Sequence, residues 1–154
     1  MESKRITLFA GHYGSGKTNI AVNYALWLKK EHEKVVIADL DIVNPYFRSK
    51  DSEKNLEERG IHLISSEYAN SNVDVPAMPA EAYAIIDNKQ TVAVIDVGGD
   101  DRGALALGRY TPAIKEQNDY EFLLVINKYR PLTPDCASTV EVMKEIETAC
   151  GMKF

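Results

Sequence analysis

The segment Gly11-His12-Tyr13-Gly14-Ser15-Gly16-Lys17-Thr18 decides the fold of this chain, because it reads as a complete G-x-x-x-x-G-K-T phosphate-binding loop. It follows an apolar run at residues 6–10 and opens an amphipathic helical pattern, which is the strand–loop–helix context that the motif requires. Glycines let successive backbone N–H groups converge on a polyphosphate, and the N-terminus of the helix adds partial positive charge. The sequence therefore predicts a site for a nucleoside triphosphate.

Two acidic segments follow candidate strands and supply carboxylates for that site. One is Asp39-Leu40-Asp41, and the other contains Asp96 followed three residues later by Gly99. Beside a phosphate-binding loop, one carboxylate typically holds Mg²⁺ directly or through water, and another orients or deprotonates the attacking water. We expect Asp41 to position the water, while a structural alternative is that one aspartate only caps a turn. The D-x-x-G spacing predicts that the Gly99 N–H approaches the γ-phosphate and senses it.

A third segment, Asn127-Lys128-Tyr129-Arg130, matches the first two positions of the N-K-x-D loop with which GTPases read guanine. Its fourth position is Arg130, whereas a guanine reader needs a carboxylate there to accept from the base. Arginine has only donors, so we expect an adenine nucleotide. Asn127 either touches the base or simply ends the strand.

These patterns predict the following site. The predicted catalytic residues are Lys17 and Asp41, and the predicted Mg²⁺ ligands are Thr18, Asp39 and Asp96. The residues predicted to bind the nucleotide are Gly11, His12, Tyr13, Gly14, Ser15, Gly16, Lys17, Thr18, Asn19, Gly99 and Asn127. The predicted cofactors are ATP and Mg²⁺.

Five short apolar runs, at 6–10, 35–38, 61–65, 91–97 and 122–126, alternate with helical patterns. The alternation predicts an α/β fold: a doubly wound, mainly parallel sheet of about five strands with helices on both faces. Ligands in such sheets bind at the carboxyl ends of the strands. In the first helix, Ile20, Tyr24 and Trp27 form part of a stripe that we expect to pack in the core. The last helix is predicted to begin with Thr133 as N-cap and to end at Gly151.

The length and composition of the chain limit its number of domains, its binding partners and its location. A length of 154 residues with 45% hydrophobic content predicts one domain over 1–154, and a net charge of −5 argues against broad nucleic-acid binding. The sequence has no apolar run of membrane-spanning length, and its two distant cysteines, Cys136 and Cys150, indicate reduced thiols in the cytoplasm. Nothing in the sequence directly indicates nucleic-acid or membrane binding. Because residues 152–154 look like the start of another strand, we expect this domain to lack C-terminal strands.

With its phosphate loop and both acidic segments in this order, the chain resembles the MinD/ParA/CobQ/CobB-type P-loop ATPases from about residue 4 to residue 150. The resemblance implies a P-loop NTPase fold and an ATP-dependent switch in which two subunits dimerise around two nucleotides. It assigns the activating aspartate to Asp41 and the Mg²⁺-associated aspartate to Asp96. Many members carry a second lysine directly after the first glycine, where this chain has His12. Histidine is shorter and only partly charged near neutral pH, so the contact across the dimer is left open.

The sequence-based hypothesis is therefore a slow Mg²⁺-dependent ATPase that switches the state of an unknown partner protein and can form a nucleotide-dependent homodimer. The alternatives are a nucleotide-gated binding module with negligible hydrolysis and, ranked last, a small-molecule kinase. The long connection at 68–79 is rich in prolines and polar residues. It is interpreted either as a contact to a partner or second subunit, or as a surface connector.

Overall fold

A single parallel sheet organises residues 3–40, 50–65, 80–99 and 101–154, which are the residues that the computed structural model describes. Its strands are β1 (Ile6–Ala10), β2 (Val35–Asp39), β3 (Ile61–Ser65), β4 (Val92–Asp96) and β5 (Tyr120–Leu124). The order across the sheet is β3-β2-β4-β1-β5, and all four neighbouring pairs are parallel. Parallel neighbours require crossover connections, which helices supply here, so the predicted α/β architecture is confirmed.

Six helices in the described residues cover the two faces of this sheet. They are α1 (Lys17–Leu28), α2 (Lys50–Glu58), α3 (Ala80–Asp87), α4 (Asp101–Gly108), α5 (Thr111–Gln117) and α6 (Cys136–Cys150). Buried side chains of α1 and α2 pack with one set of strand residues, and those of α3 to α6 pack with the other set. The strands are apolar on both faces because both faces are covered.

The face of α1 that contacts the sheet is narrower than the sequence predicts. Ala21, Ala25 and Leu28 are buried, whereas Ile20 is 44% exposed and Trp27 is 43% exposed. The prediction that all members of the stripe lie in the core was wrong for these two. Small alanines let α1 approach the sheet closely, so that larger side chains on either side lie at the rim, where Trp27 stacks on Tyr24.

The strand ends and the last helix also differ in detail from the prediction. The fifth strand begins at Tyr120, two residues before the predicted run, because Tyr120 and Glu121 pair with Ile6 and Thr7 of β1. The N-cap of α6 is Asp135, whose carboxylate accepts from the Ser138 N–H at 2.9 Å.

Thr133, the predicted cap of α6, is instead buried and donates its hydroxyl to the Asn127 carbonyl at 2.7 Å. The predicted helix stop at Gly151 is confirmed, with φ of 71°. Beyond it, residues 152–154 form no strand; Met152 is buried, and the Phe154 ring stacks on Phe122.

Two predictions fall outside the described residues. Asp41, the predicted water-positioning residue, lies in the segment 41–49, and the connection at 68–79 lies within 66–79.

Candidate functional site

The predicted site residues gather where β1, β2 and β4 end. Asp39 ends β2 and pairs in register with Asp96, which ends β4 and also pairs with Phe9 of β1. Because side chains alternate along a strand, Asp39 shares a face with Val35 and Ile37, which pack with α1 and α2. Both carboxylates are therefore directed to the side of the sheet on which α1 begins. Asp96 is fully buried, and Asp39 is 2% exposed.

The first turn of α1 contains a buried lysine and a hydroxyl that contacts one of these carboxylates. Lys17 is the first residue of the helix and is only 5% exposed. Thr18 donates its hydroxyl to the Asp96 carboxylate, with 2.5 Å between Oγ1 and Oδ2. Removing a charged group from water is energetically costly, so charged groups are buried only where they compensate one another or hold a ligand. A buried lysine of the phosphate loop and two buried carboxylates, one of them bonded to that loop through Thr18, therefore lie in the same part of the fold.

The donor atoms at this point fit a magnesium ion. A hydroxyl and carboxylates are the hard oxygen ligands that Mg²⁺ prefers, and it usually takes only one or two carboxylates because phosphate oxygens and water complete its shell. Within the described parts of the chain, no group of three or more histidine, cysteine, aspartate or glutamate residues could hold a metal ion on its own. Thr18 and Asp96 are thus residues that could hold Mg²⁺ together with a nucleotide.

The phosphate loop itself is held in a conformation that requires glycine. Gly16 caps α1 with φ of 93°, in the left-handed region, and its carbonyl accepts from the Ile20 N–H at 3.1 Å. The Ser15 N–H donates to the His12 carbonyl at 3.0 Å, which closes the loop in a tight turn. At Gly11 a Cβ atom would lie 2.3 Å from the Val125 carbonyl oxygen, so the loop packs directly on the end of β5.

The D-x-x-G glycine lies against this loop. A Cβ atom on Gly99 would be 2.7 Å from the Tyr13 nitrogen and 3.1 Å from the His12 carbonyl carbon. Gly99 follows β4 closely, and the Val97 N–H donates to the Phe9 carbonyl at 2.9 Å, which fixes the segment beside β1. Thus the segment that contains the predicted γ-phosphate sensor contacts the phosphate loop backbone.

The loop after β5 contacts the phosphate loop from another direction. Asn127 donates from Nδ2 to the Gly14 carbonyl at 3.2 Å, and Arg130 donates from Nε to the same oxygen at 3.1 Å. Asn127 also accepts from the Tyr129 N–H through Oδ1 at 3.1 Å. Among the predicted residues, Asn127 therefore lies at the loop with both of its amide atoms engaged within the chain.

The structure places the remaining predicted residues as follows. Tyr13, 60% exposed, and Asn19 are directed to solvent at the loop and at α1. Ser15 keeps a buried hydroxyl that has no hydrogen-bond partner among the described residues. The sequence reasoning did not assign Arg130 to the loop, although its position in the N-K-x-D-like segment, directly after a strand beside β1, was the available signal.

Comparison with known proteins supports the fold. No family model matches this sequence, and no curated protein does so. The chain is similar to the solved structure of the signal recognition particle receptor FtsY from Elizabethkingia anophelis, with 19% identity and a TM-score of 0.53 over 97% of this chain and 48% of that one. It is equally similar to the same receptor in complex with GDP, with 20% identity and a TM-score of 0.53 over 97% and 47%. The chain thus spans about half the length of these structures, and it has a P-loop NTPase fold.

The described helices include none that combines the length and the apolar character needed to cross a membrane. The cytoplasmic location stays a prediction.

Proposed function

We propose that this chain binds ATP with Mg²⁺, hydrolyses it slowly, and uses the bound state as a switch on a partner protein. The observation that carries the proposal is the 2.5 Å contact between the Thr18 hydroxyl and the Asp96 carboxylate beside the buried Lys17. A phosphate loop without this arrangement could bind an anion; with it, the site offers a cation for the phosphates and oxygen ligands for a metal.

Each group has a defined task in this proposal. Backbone N–H groups of residues 11–18 and the N-terminus of α1 bind the phosphates, and the Lys17 ammonium stabilises charge on the β- and γ-phosphates. Thr18 and Asp96 would hold Mg²⁺, which when bound would further neutralise the charge on the phosphate oxygens. Gly99, close to the loop, presents its N–H to the γ-phosphate, and Asp41 positions the water. Asp39, buried and in register with Asp96, would add a second carboxylate for the metal.

The choice of ATP over GTP is supported by Arg130. A guanine reader would place a carboxylate at this position, and the guanidinium has only donors. The competing candidate is a guanine nucleotide, because one of the similar FtsY structures is a complex with GDP. Thermal unfolding with ATP, ADP and GTP, with and without Mg²⁺, separates the two. A nucleotide present at one hundred times its Kd stabilises the fold by about 2.7 kcal/mol, and we expect the largest shift with ATP and Mg²⁺.

Hydrolysis is tested by phosphate release from Mg·ATP. We expect Lys17→Ala to lower the rate about a hundredfold, since removal of one donor from a transition-state charge has effects of that order. Lys30→Ala is the matched control, because Lys30 is an exposed lysine just beyond the other end of α1. Equal rates in the wild-type chain and Lys17→Ala would show that the release is not catalysed at this site.

A second candidate is a nucleotide-gated binding module with negligible turnover, and His12 is the residue that favours it. His12 stands where many of the ATPases that this chain resembles carry a second lysine, and histidine is shorter and only partly charged near neutral pH. Tight binding of ATP without phosphate release, even with a partner present, would favour this module. A nucleotide-dependent homodimer is tested on a sizing column with ATP and Mg²⁺, where dimerisation would shift the chain to twice its mass.

A further inference from the structure

We infer that Arg130 is a positioning residue of the phosphate loop: its guanidinium holds the Gly14 carbonyl and thereby fixes the Gly14–Ser15 peptide and the His12–Ser15 turn that give the loop its shape. This inference rests on the proposed function, since it assigns a residue to triphosphate binding. The residue stands at the position where a guanine reader has its carboxylate, so the same segment serves a different purpose in this chain.

The contact is a close one. Arg130 donates from Nε to the Gly14 oxygen at 3.1 Å, and Asn127 donates to the same oxygen at 3.2 Å. A carbonyl oxygen has two lone pairs, and these two donors occupy both of them. A Cβ atom on Gly14 would lie 2.5 to 2.7 Å from the Arg130 guanidinium atoms, so the guanidinium lies directly against the glycine. Gly14 has φ of 77°, which suits glycine and places the peptide in this orientation.

Holding this carbonyl has a consequence on the other side of the peptide. The peptide bond between Gly14 and Ser15 is planar, and in the trans form its C=O and N–H point in opposite directions. When the carbonyl is fixed on Arg130 and Asn127, the Ser15 N–H is directed away from them, into the turn where it meets the His12 carbonyl at 3.0 Å. A cation on the carbonyl also strengthens the N–H as a donor through polarisation of the amide.

Arg130 can act in this way because the segment that carries it is itself well ordered by hydrogen bonds. The Arg130 N–H donates to the Asn127 carbonyl at 3.0 Å, and the Thr133 N–H donates to the Arg130 carbonyl at 3.1 Å. The Thr133 hydroxyl, in a 5% exposed residue, donates to the Asn127 carbonyl at 2.7 Å. The end of β5 is joined to β1 by the Val125 N–H, which donates to the Ala10 carbonyl at 2.7 Å. The guanidinium is thus anchored to the sheet that carries the phosphate loop.

A contact through the loop and a contact with the base have different effects on the affinity of different ligands. If Arg130 acts through Gly14, its removal weakens every ligand that uses the phosphate loop by the same factor, whatever the base. If it acts on the base, the loss depends on the base and is absent for a ligand that has none. Inorganic triphosphate with Mg²⁺ is the probe that has no base.

The experiment compares the dissociation constants of Mg·ATP, Mg·GTP and Mg·triphosphate for the wild-type chain, Arg130→Ala, Arg130→Lys and Lys128→Ala. Lys128 is the matched control: it lies in the same segment with the same charge, and its ammonium is 5.5 Å from the centre of the Tyr129 ring. We expect Arg130→Ala to weaken all three ligands about tenfold, the size expected of one hydrogen bond from a charged donor that is exposed to solvent. Arg130→Lys keeps a cationic donor and should recover part of the loss, while Lys128→Ala should bind like the wild type.

Thermal unfolding without ligand checks that the variants are folded. Because Arg130 is exposed, its substitution should leave the midpoint of thermal unfolding nearly unchanged. Three outcomes would each overturn the inference alone while leaving the proposed function intact. They are wild-type affinity of Arg130→Ala for all three ligands, a loss of affinity confined to one base, and an equal loss of affinity in Lys128→Ala. Failure of the wild-type chain to bind any of the three ligands would overturn the proposed function, and the inference with it.

Discussion

Gly99 lies so close to the phosphate loop that a single added methyl group must displace backbone, and we predict that Gly99→Ala weakens triphosphate binding. The new Cβ would lie 2.7 Å from the Tyr13 nitrogen and 2.9 Å from the Tyr13 Cα. Ordinary contacts begin near 3.4 Å, so one of the two segments must move by roughly 0.7 Å. Neither contact is with a flexible side chain, so rotation of a side chain cannot relieve it.

The size of the effect follows from the cost of overpacking, which is typically about 1 to 3 kcal/mol. If the phosphate loop gives way, part of this strain appears as lost preorganisation, and the affinity for Mg·ATP falls between about fivefold and a hundredfold. If the segment after β4 gives way, the predicted sensor moves away from the γ-phosphate. In that case Mg·ATP is weakened more than Mg·ADP, since only ATP has the γ-phosphate.

The assay is titration calorimetry with Mg·ATP and Mg·ADP, accompanied by urea unfolding of each variant. Gly108→Ala is the matched control, because a Cβ there would meet its nearest atom, the Ala149 oxygen, at an ordinary 3.4 Å. We expect Gly108→Ala to bind like the wild type. Wild-type affinity in Gly99→Ala for both nucleotides would refute the argument that Gly99 fixes the loop.

Two further predictions concern the stability of the scaffold. Arg5 donates to four carbonyls at the end of α3 and in the turn beyond it (Ile85, Ile86, Asn88 and Thr91). Arg5→Ala should therefore lower the free energy of unfolding in urea by about 1 to 3 kcal/mol; exposed Arg59→Ala is the control, and an equal loss there would contradict it. Hydrogen bonds from Ser138 lower the pKa of the Asp135 carboxyl, whose ordinary value is 3.8. The ionised carboxylate therefore stabilises the fold fully above its ordinary pKa, and this stabilisation disappears as the pH falls through the lower pKa of the folded state. The difference in urea midpoint between wild type and Asp135→Asn should shrink in acid, and a difference that stays constant would contradict this prediction.

The fold and the centre of the candidate site could be predicted because both depend on local patterns. The phosphate loop is one contiguous motif, and Asp39 and Asp96 each end an apolar run. The rule that ligands bind at the carboxyl ends of parallel strands then places both near Lys17 without further information. Their register, Asp39 opposite Asp96, follows from the strand pairing that the structure shows.

What could not be predicted depends on packing. Helical spacing identifies an apolar face of α1 but not how wide a strip of it is covered, so Trp27 was wrongly assigned to the core. The choice between Thr133 and Asp135 as N-cap depended on the Asn127 carbonyl, which is met only in the folded loop. The contact between Arg130 and Gly14 joins residues 116 positions apart, and no local pattern reports such a pair.

The conformation of the phosphate loop depends on contacts with the segments that follow the two strands beside β1. Thr18 is bound to the end of β4 through Asp96, and Tyr13 is packed against Gly99 after the same strand. Gly14 is held from β5 through Arg130 and Asn127. A loop of eight residues with three glycines has many conformations in isolation, and ordering it on a ligand would subtract from the binding free energy. Because β4 and β5 flank β1 in the sheet, contacts from both neighbouring strands order the loop during folding. The entropy of ordering the loop is then not subtracted from the free energy of ligand binding. A substitution in the segment after β4 or β5 should therefore change the affinity for phosphate more than it changes the stability of the fold.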